Sequence, residues 1–316
     1  MALIETEHVN WKLKCLALHA LTITPGSASV YRWLQRAVTG RYLDEVSDEV
    51  LAAYNYHVQN FLKLPSPRRS TALEFGAGRN LLTPLLLSAA GAQTVYVYDL
   101  VRLATVEHIN HVIRQLRDRM VPAGDGGWRE IEDIDHDLER LYRIVYCAPA
   151  DARNTGLPSG SVDFICSTST LEHIPTADIA AILWECRRLS SRDGLASFIV
   201  DYHDHYATAD RQITRFNFYK YSRSTWSWYN PSNHYQNRMR HSDYEALFER
   251  CGFSAVEQRS VIPSADRPRL QGLRLAPEFS GYSAEDLLAL NGFFLLGSFA
   301  LKGRSHGEGA STVQLP

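Results

Sequence analysis

Beyond Pro65-Ser-Pro67 the chain alternates short apolar runs with helical ones, and this alternation narrows the fold more than any other feature. Thr71–Phe75 leads through a glycine turn into a helix over Asn80–Ala89, and Thr94–Tyr98 leads into a helix over 102–119. Arg143–Cys147, Val162–Ser167 and Ala196–Val200 read as further strands. A helix over Thr176–Leu189 lies between the last two, with Thr176 as its N-cap and Gly194 in the turn beyond it. Strands alternating with helices predict a parallel sheet covered on both faces, because each crossover lays a helix on the sheet. The right-handed crossover rule makes such an α/β sheet doubly wound. The pattern then changes. Ser242-Asp-Tyr-Glu245 reads as a capping box opening a helix that stops at Cys251-Gly252. Two strand-like runs follow, Ser254–Ile262 and Phe293–Leu301, which brings the sheet to seven strands and predicts an antiparallel C-terminal hairpin at its edge.

Residues 1–68 show helical spacing instead, at Val30–Val38 and Val46–Leu64, and are expected to form an N-terminal helical cap. The main domain is then 69–302, with a lid-like insert at 202–240 and a second insert at 263–290. The polar, Gly/Ser-containing stretch 303–316 reads as a flexible tail. A net charge of −2 gives no basic excess for nucleic acid or an anionic membrane. The five cysteines include no C-x-x-C pair, so neither a disulfide framework nor a zinc clip is indicated, and Cys147 and Cys166 read as small buried residues. No apolar run spans a bilayer, and the first residues do not read as a signal peptide. The expectation is a cytoplasmic protein with a buried helix near Leu16–Ile23. Oligomeric state stays open, a homodimer included.

The first strand runs into Leu73-Glu-Phe-Gly-Ala-Gly-Arg-Asn80. Glycines at 76 and 78 permit a tight turn and a close backbone approach to a ligand. The dinucleotide fingerprint wants Gly or Ala at position 81, where Leu81 stands. Glu74 would repel phosphates and suit a cationic, amine-bearing ligand. Asp99 ends the second strand, where an acid can accept both ribose hydroxyls of an adenosine. Asp151 follows the third, placed to accept from an adenine amino group. Read blandly, Asp99 and Asp151 are helix caps or turn residues. Three acids in order at successive strand ends are hard to attribute to capping.

In these residues the sequence resembles the class I S-adenosylmethionine-dependent methyltransferases, over roughly residues 70–205. Glu74-Phe-Gly-Ala-Gly78 resembles their acid-x-G-x-G motif and Asp99 their ribose-binding acid. Asp151-Ala152 with Leu157-Pro158 and Ser161-Val-Asp-Phe164 resembles their adenine segment and fourth strand, and Ser169-Thr-Leu-Glu-His-Ile174 the segment after it. Asn80 departs from the pattern where many members have a further glycine. The resemblance implies a Rossmann-like fold and S-adenosyl-L-methionine as cofactor. It also implies a cofactor site of Glu74, Phe75, Gly76, Ala77, Gly78, Asp99, Leu100, Asp151, Ala152, Ser167 and Thr168.

On the acceptor side, the fifth strand runs into Asp201-Tyr-His-Asp-His-Tyr206 at the carboxyl end of the sheet, where ligands of open α/β sheets bind. Ten aromatic residues crowd positions 202–235, which reads as a lid or pocket wall; the alternative is a satellite core packed on itself. Methyl transfer to a neutral hydroxyl needs alignment and somewhere for the proton to go, and a histidine suits that task. His205 backed by Asp204 is the first candidate base, with His173 and others behind it. His203, Asp204 and His205 could instead ligate a metal, but without a further ligand in view no metal site is expected. The seven carboxylates of Asp125–Glu139 read as a solvated loop and short helix. The helices of 1–64 and His234–Arg238 resemble small-molecule methyltransferases of sugar and secondary-metabolite pathways. The expected function is therefore methylation of a small-molecule hydroxyl in biosynthesis. N-methylation of a small molecule, and a nicotinamide-dependent oxidoreductase, are its rivals.

Overall fold

In the computed structural model, β1 (Thr71–Phe75) sits at the centre of the sheet because four of its five side chains are buried and both of its edges are paired. The structure describes residues 9–22, 43, 45–66, 70–120 and 127–298. The helix expected at Val30–Val38 and the tail from Gly303 lie outside them. The other strands are β2 (Thr94–Tyr98), β3 (Ile144–Cys147), β4 (Val162–Thr168), β5 (Ser190–Asp201), β6 (Phe253–Val261) and β7 (Asn291–Ser298). They form one seven-stranded sheet in the order β3-β2-β1-β4-β5-β7-β6. β1 to β5 are mutually parallel, and β7 runs antiparallel to both β5 and β6. The strand order reverses between β1 and β4, and the crevice of such a sheet opens at the carboxyl ends of those strands.

Pleat parity distributes the core. Leu73 and Phe75 face one side with Ile165, Phe198 and the helix Thr176–Leu189, while Ala72 faces the other with Val95, Val97 and the helix Leu82–Ala89. Leu85 and Leu87 of that helix are fully buried, each contributing about 1.5–3 kcal/mol. The helix Asp48–Phe61, capped by Ser47, packs on the same side and fixes itself by polar bonds: His57 and Asn60 hydrogen-bond Ser197 of β5 at 2.8 and 3.0 Å. The helix Trp11–Thr22 sits elsewhere, with Trp11 against Tyr206 and Tyr229. These two N-terminal helices therefore do not form one layer.

Several local expectations are corrected. The helix Thr176–Leu189 takes Pro175 as its N-cap, so Thr176 is its first helical residue. β5 starts at Ser190, directly after that helix, and absorbs Gly194 instead of leaving it in a turn. The capping residue of His241–Arg250 is Arg240, whose backbone N–H donates to Asp243 (2.7 Å), while Ser242 bonds Asp286. The aromatics of the first insert are mainly a satellite core. Tyr206, Phe216, Phe218, Tyr219 and Trp226 pack on one another, on Trp11 and on Phe279 and Leu288 of the second insert. Among the described residues, no helix is long and apolar enough to cross a membrane.

Candidate active site

The β1 turn sets the site. Gly76 has φ +73°, and a Cβ there would stand 2.3 Å from Cγ2 of Thr170, so only glycine passes under that side chain. Gly78 has φ +68°, and a Cβ there would meet nothing within 4 Å, so its backbone faces open space. Asp99 at the end of β2 closes the turn by accepting from the Gly78 N–H at 3.2 Å. Burial raises its carboxyl above the ordinary range, against bonds from the Val101 and Gly78 N–H groups that pull it down.

A cavity of about 300 Å³ opens beside this turn. Of the residues expected to hold the cofactor, Phe75, Gly76, Asp99, Leu100, Asp151 and Ala152 line it. Thr170, Arg153 and His173 line it as well. The others do not. Glu74 points to the opposite face of β1 from Phe75, into the interior, and is 2% exposed. Burial pushes its carboxyl up to about 8, with the Thr83 hydroxyl opposing and Asp99 adding to the rise, and Oε2 lacks a hydrogen-bond partner. Gly78 touches the site through its bond to Asp99, and Ala77 packs toward the core beneath the turn. Ser167 spends its hydroxyl on the Phe75 carbonyl (2.9 Å), and Thr168 hydrogen-bonds His57 (2.9 Å). Asp151 stands at the rim with both oxygens engaged by Arg153, which also bonds Asp178 at 2.6 Å.

These residues fit an adenosyl ligand with a cationic tail. The open backbone at Gly78 gives room, the half-buried acid Asp99 on the wall gives a hydroxyl acceptor, and Glu74 gives a buried carboxyl, held neutral by its raised pKa, whose ionised form a nearby cation would favour.

At one end of the cavity the loops after β4 and β5 meet. Here the pairing expected from sequence changes. Asp204 is fully buried and turned away, accepting from the Tyr206 N–H (2.8 Å) and from Asn217 (3.0 Å). Asp201 takes its place, with one oxygen bonded to Nδ1 of His203 and the other 3.6 Å from Nε2 of His205. Burial alone would raise the Asp201 carboxyl, but the two histidines hold it well below the usual range. His173 lies beside His205, ring centroids 4.9 Å apart with the planes inclined by 53°, and its Nδ1 contacts the Tyr235 carbonyl at 2.9 Å. A carbonyl only accepts, so Nδ1 carries the proton and Nε2 presents a bare lone pair. Desolvation holds this imidazole below its ordinary pKa, with His205 adding to the effect and the Tyr235 carbonyl opposing it. Gln236 ties the histidine loop in place, accepting from the His205 N–H and donating to the His203 carbonyl. Asn237 does the same for the turn at 171–174.

Sequence reasoning passed over Asp201, Thr170 and Glu172. For Asp201 the signal was available, since it ends β5 as Asp99 ends β2. Thr170 and Glu172 lie in the Ser169–Ile174 segment that the resemblance singled out, but their individual roles depend on which loop crosses Gly76 and which histidines gather beside the turn.

Over residues 49–258 the chain matches a family model described as a methyltransferase domain. No match is found among curated proteins. Among solved structures it is similar to the YcgJ protein from Bacillus subtilis, with 14% identity over 78% of this chain and 98% of that one and a TM-score of 0.43. It is also similar to a SAM-dependent methyltransferase from Methanosarcina mazei, with 11% identity over 76% and 96% and a TM-score of 0.42. A third is phosphoethanolamine N-methyltransferase 2 from Haemonchus contortus, in complex with phosphomonomethylethanolamine and S-adenosylhomocysteine. There the identity is 13% over 89% of this chain and 60% of that one, with a TM-score of 0.47.

Proposed function

The chain belongs to the methyltransferase-domain family and is an S-adenosylmethionine-dependent methyltransferase; from that premise we propose that it methylates a hydroxyl group of a small molecule. The oxidoreductase alternative falls with the family. The observation that carries the proposal is the bare Nε2 of His173 at the cavity wall. A neutral hydroxyl must give up its proton as it attacks, and an unprotonated imidazole facing the reacting centre can take it.

The cofactor supplies a methyl group already activated on a sulfonium. The chain's residues do the rest. Asp99 accepts the ribose hydroxyls, and the turn at Gly76 and Gly78 accommodates the cofactor's tail above the buried carboxyl of Glu74, whose ionised form the tail's cation would favour. Asp151 receives the adenine amino group where Arg153 releases one of its bonds. Phe75, Leu100 and Ala152 give apolar wall. His173 takes the acceptor's proton, with His205 beside it, steadied by Asp201. In balance, an O–CH3 bond forms, the S–CH3 bond breaks to leave a neutral thioether, and one proton leaves the acceptor oxygen. The domain division follows as a proposal too: a transferase body over 69–302, whose inserts at 202–240 and 263–290 support the histidine loop from behind.

Incubating the purified chain with methyl-labelled cofactor and a metabolite extract tests the reading. The expected product is a small molecule one methyl heavier, labelled on oxygen. Label on nitrogen would replace this reading with the N-directed one, and failure of the cofactor to bind at high micromolar concentration would remove both.

A further inference from the structure

The histidine loop holds more ligating groups than one proton transfer uses. Asp201, His203 and His205 bring one ligand atom each within 4.8 Å of one another, and so do Glu172, His173 and His205. Two imidazoles and a carboxylate form the donor set that first-row divalent ions take in open, three-ligand sites, leaving a position for a water or substrate oxygen.

A second observation stands apart from that spacing. Glu172 is 1% exposed, and neither of its carboxylate oxygens has a hydrogen-bond partner. Its backbone is clamped by the Asn237 N–H, which donates to its carbonyl at 2.7 Å, and by Asn237 Nδ2 on Leu171 and Ile174. A buried acid with nothing to bond carries a cost of several kcal/mol if ionised. An ionised Glu172 beside Asp201 would add a second negative charge to the cluster, and a divalent cation bound there would balance it.

We propose that Asp201, His203 and His205 bind a divalent transition-metal ion of the zinc type beside the cofactor cavity, with Glu172 compensating its charge. This rests on the methyl-transfer reading for its purpose and deepens it. A bound cation lowers the pKa of a coordinated hydroxyl, and His173, outside the ligand triad, remains free to take the proton. The second shell is already built: Gln236 fixes the backbone on both sides of Asp204, so the two ligating histidines are held from behind.

The test is metal binding by the full chain after chelator treatment, with zinc measured by equilibrium dialysis and cobalt(II) by its visible absorption. The expected result is one equivalent of either metal, with the cobalt spectrum of a four- or five-coordinate ion. His203→Ala should weaken binding by more than the roughly 10–100-fold that losing an outer-shell partner costs. His234→Ala, which removes a neighbouring histidine outside the triad, should leave it unchanged. Far-UV circular dichroism and cofactor affinity of His203→Ala serve as the folding control. No binding by the wild-type chain, or binding that His203→Ala does not diminish, would overturn the proposal. Methyl transfer at full rate by metal-free protein would also overturn it and leave the hydroxyl reading intact. Failure to bind S-adenosylmethionine would remove that reading without changing the metal stoichiometry.

Discussion

Asp201 stands 3.6 Å from Nε2 of His205 with one oxygen and bonds Nδ1 of His203 with the other, so one carboxylate at the end of β5 orders two imidazoles. Asp204, adjacent to both histidines in sequence, is fully buried and serves the backbone of Tyr206 and the amide of Asn217. The two acids therefore fail in different ways when neutralised. Asp201→Asn should lower methyl transfer to the identified acceptor by about 10²–10⁴-fold with cofactor affinity unchanged. Asp204→Asn should instead lower the melting temperature. Steady-state kinetics beside thermal melts separate them, and equal loss of activity at equal stability would remove the distinction.

Asp99 is the sole acid among the proposed adenosine contacts that is both half-buried and free of an arginine partner among the described residues. Asp99→Ala should weaken S-adenosylmethionine binding by about 1.5–3 kcal/mol, the worth of charge-assisted hydrogen bonds. Isothermal titration reads this directly, and an unchanged Kd would reassign the ribose contact.

Gly76→Ala should abolish cofactor binding and destabilise the fold by about 1–3 kcal/mol, since φ +73° is strained for alanine and the new methyl meets Thr170 at 2.3 and 2.5 Å. Adding Thr170→Ala removes those two contacts but leaves its Cβ at 2.9 Å and the strained φ. Partial recovery of stability in the double variant, measured by urea unfolding, is the expected outcome; full recovery would mean that φ contributes nothing.

Glu185 supplies a pH signature. Its bonds from Arg188 hold the carboxyl down to about 2, against burial, with Thr155 assisting. A folded-state pKa below the unfolded value gives stability that is complete above about pH 4.5 and is lost as pH falls toward 2. Glu185→Gln should therefore lower stability at neutral pH by about 1.5–3 kcal/mol and flatten the acid limb of the urea-midpoint profile. A parallel acid limb in the variant would place the titration elsewhere.

Much of the architecture was legible because periodicity is a local property. The alternation of apolar runs and helices implied the parallel sheet, and the final helix with two strands implied its antiparallel edge, as β5, β7 and β6 bear out. Element boundaries were less so. The strand β5 begins six residues earlier than its apolar run, because the pairing of Val162 with Ser190 extends a ladder that hydrophobicity does not mark.

In the site, sequence alone determined what a single strand end can announce: the turn at Gly76 and Gly78 and the acids Asp99 and Asp151, each at the end of its own strand. Tertiary structure decided everything that depends on two segments meeting. Pleat parity sent Glu74 to the interior face, opposite Phe75. The packing of the inserts on Trp11 turned the aromatic cluster into a core of its own. The fold of the loop after β5 gave Asp201, and not Asp204, to the histidines and brought Glu172 and His173 beside them. The packing on Trp11 and the approach of Glu172 and His173 to His205 join residues tens of positions apart, and the turn that gives Asp201 to its near neighbours is held by Gln236 from another segment, so no local pattern in the chain encodes them.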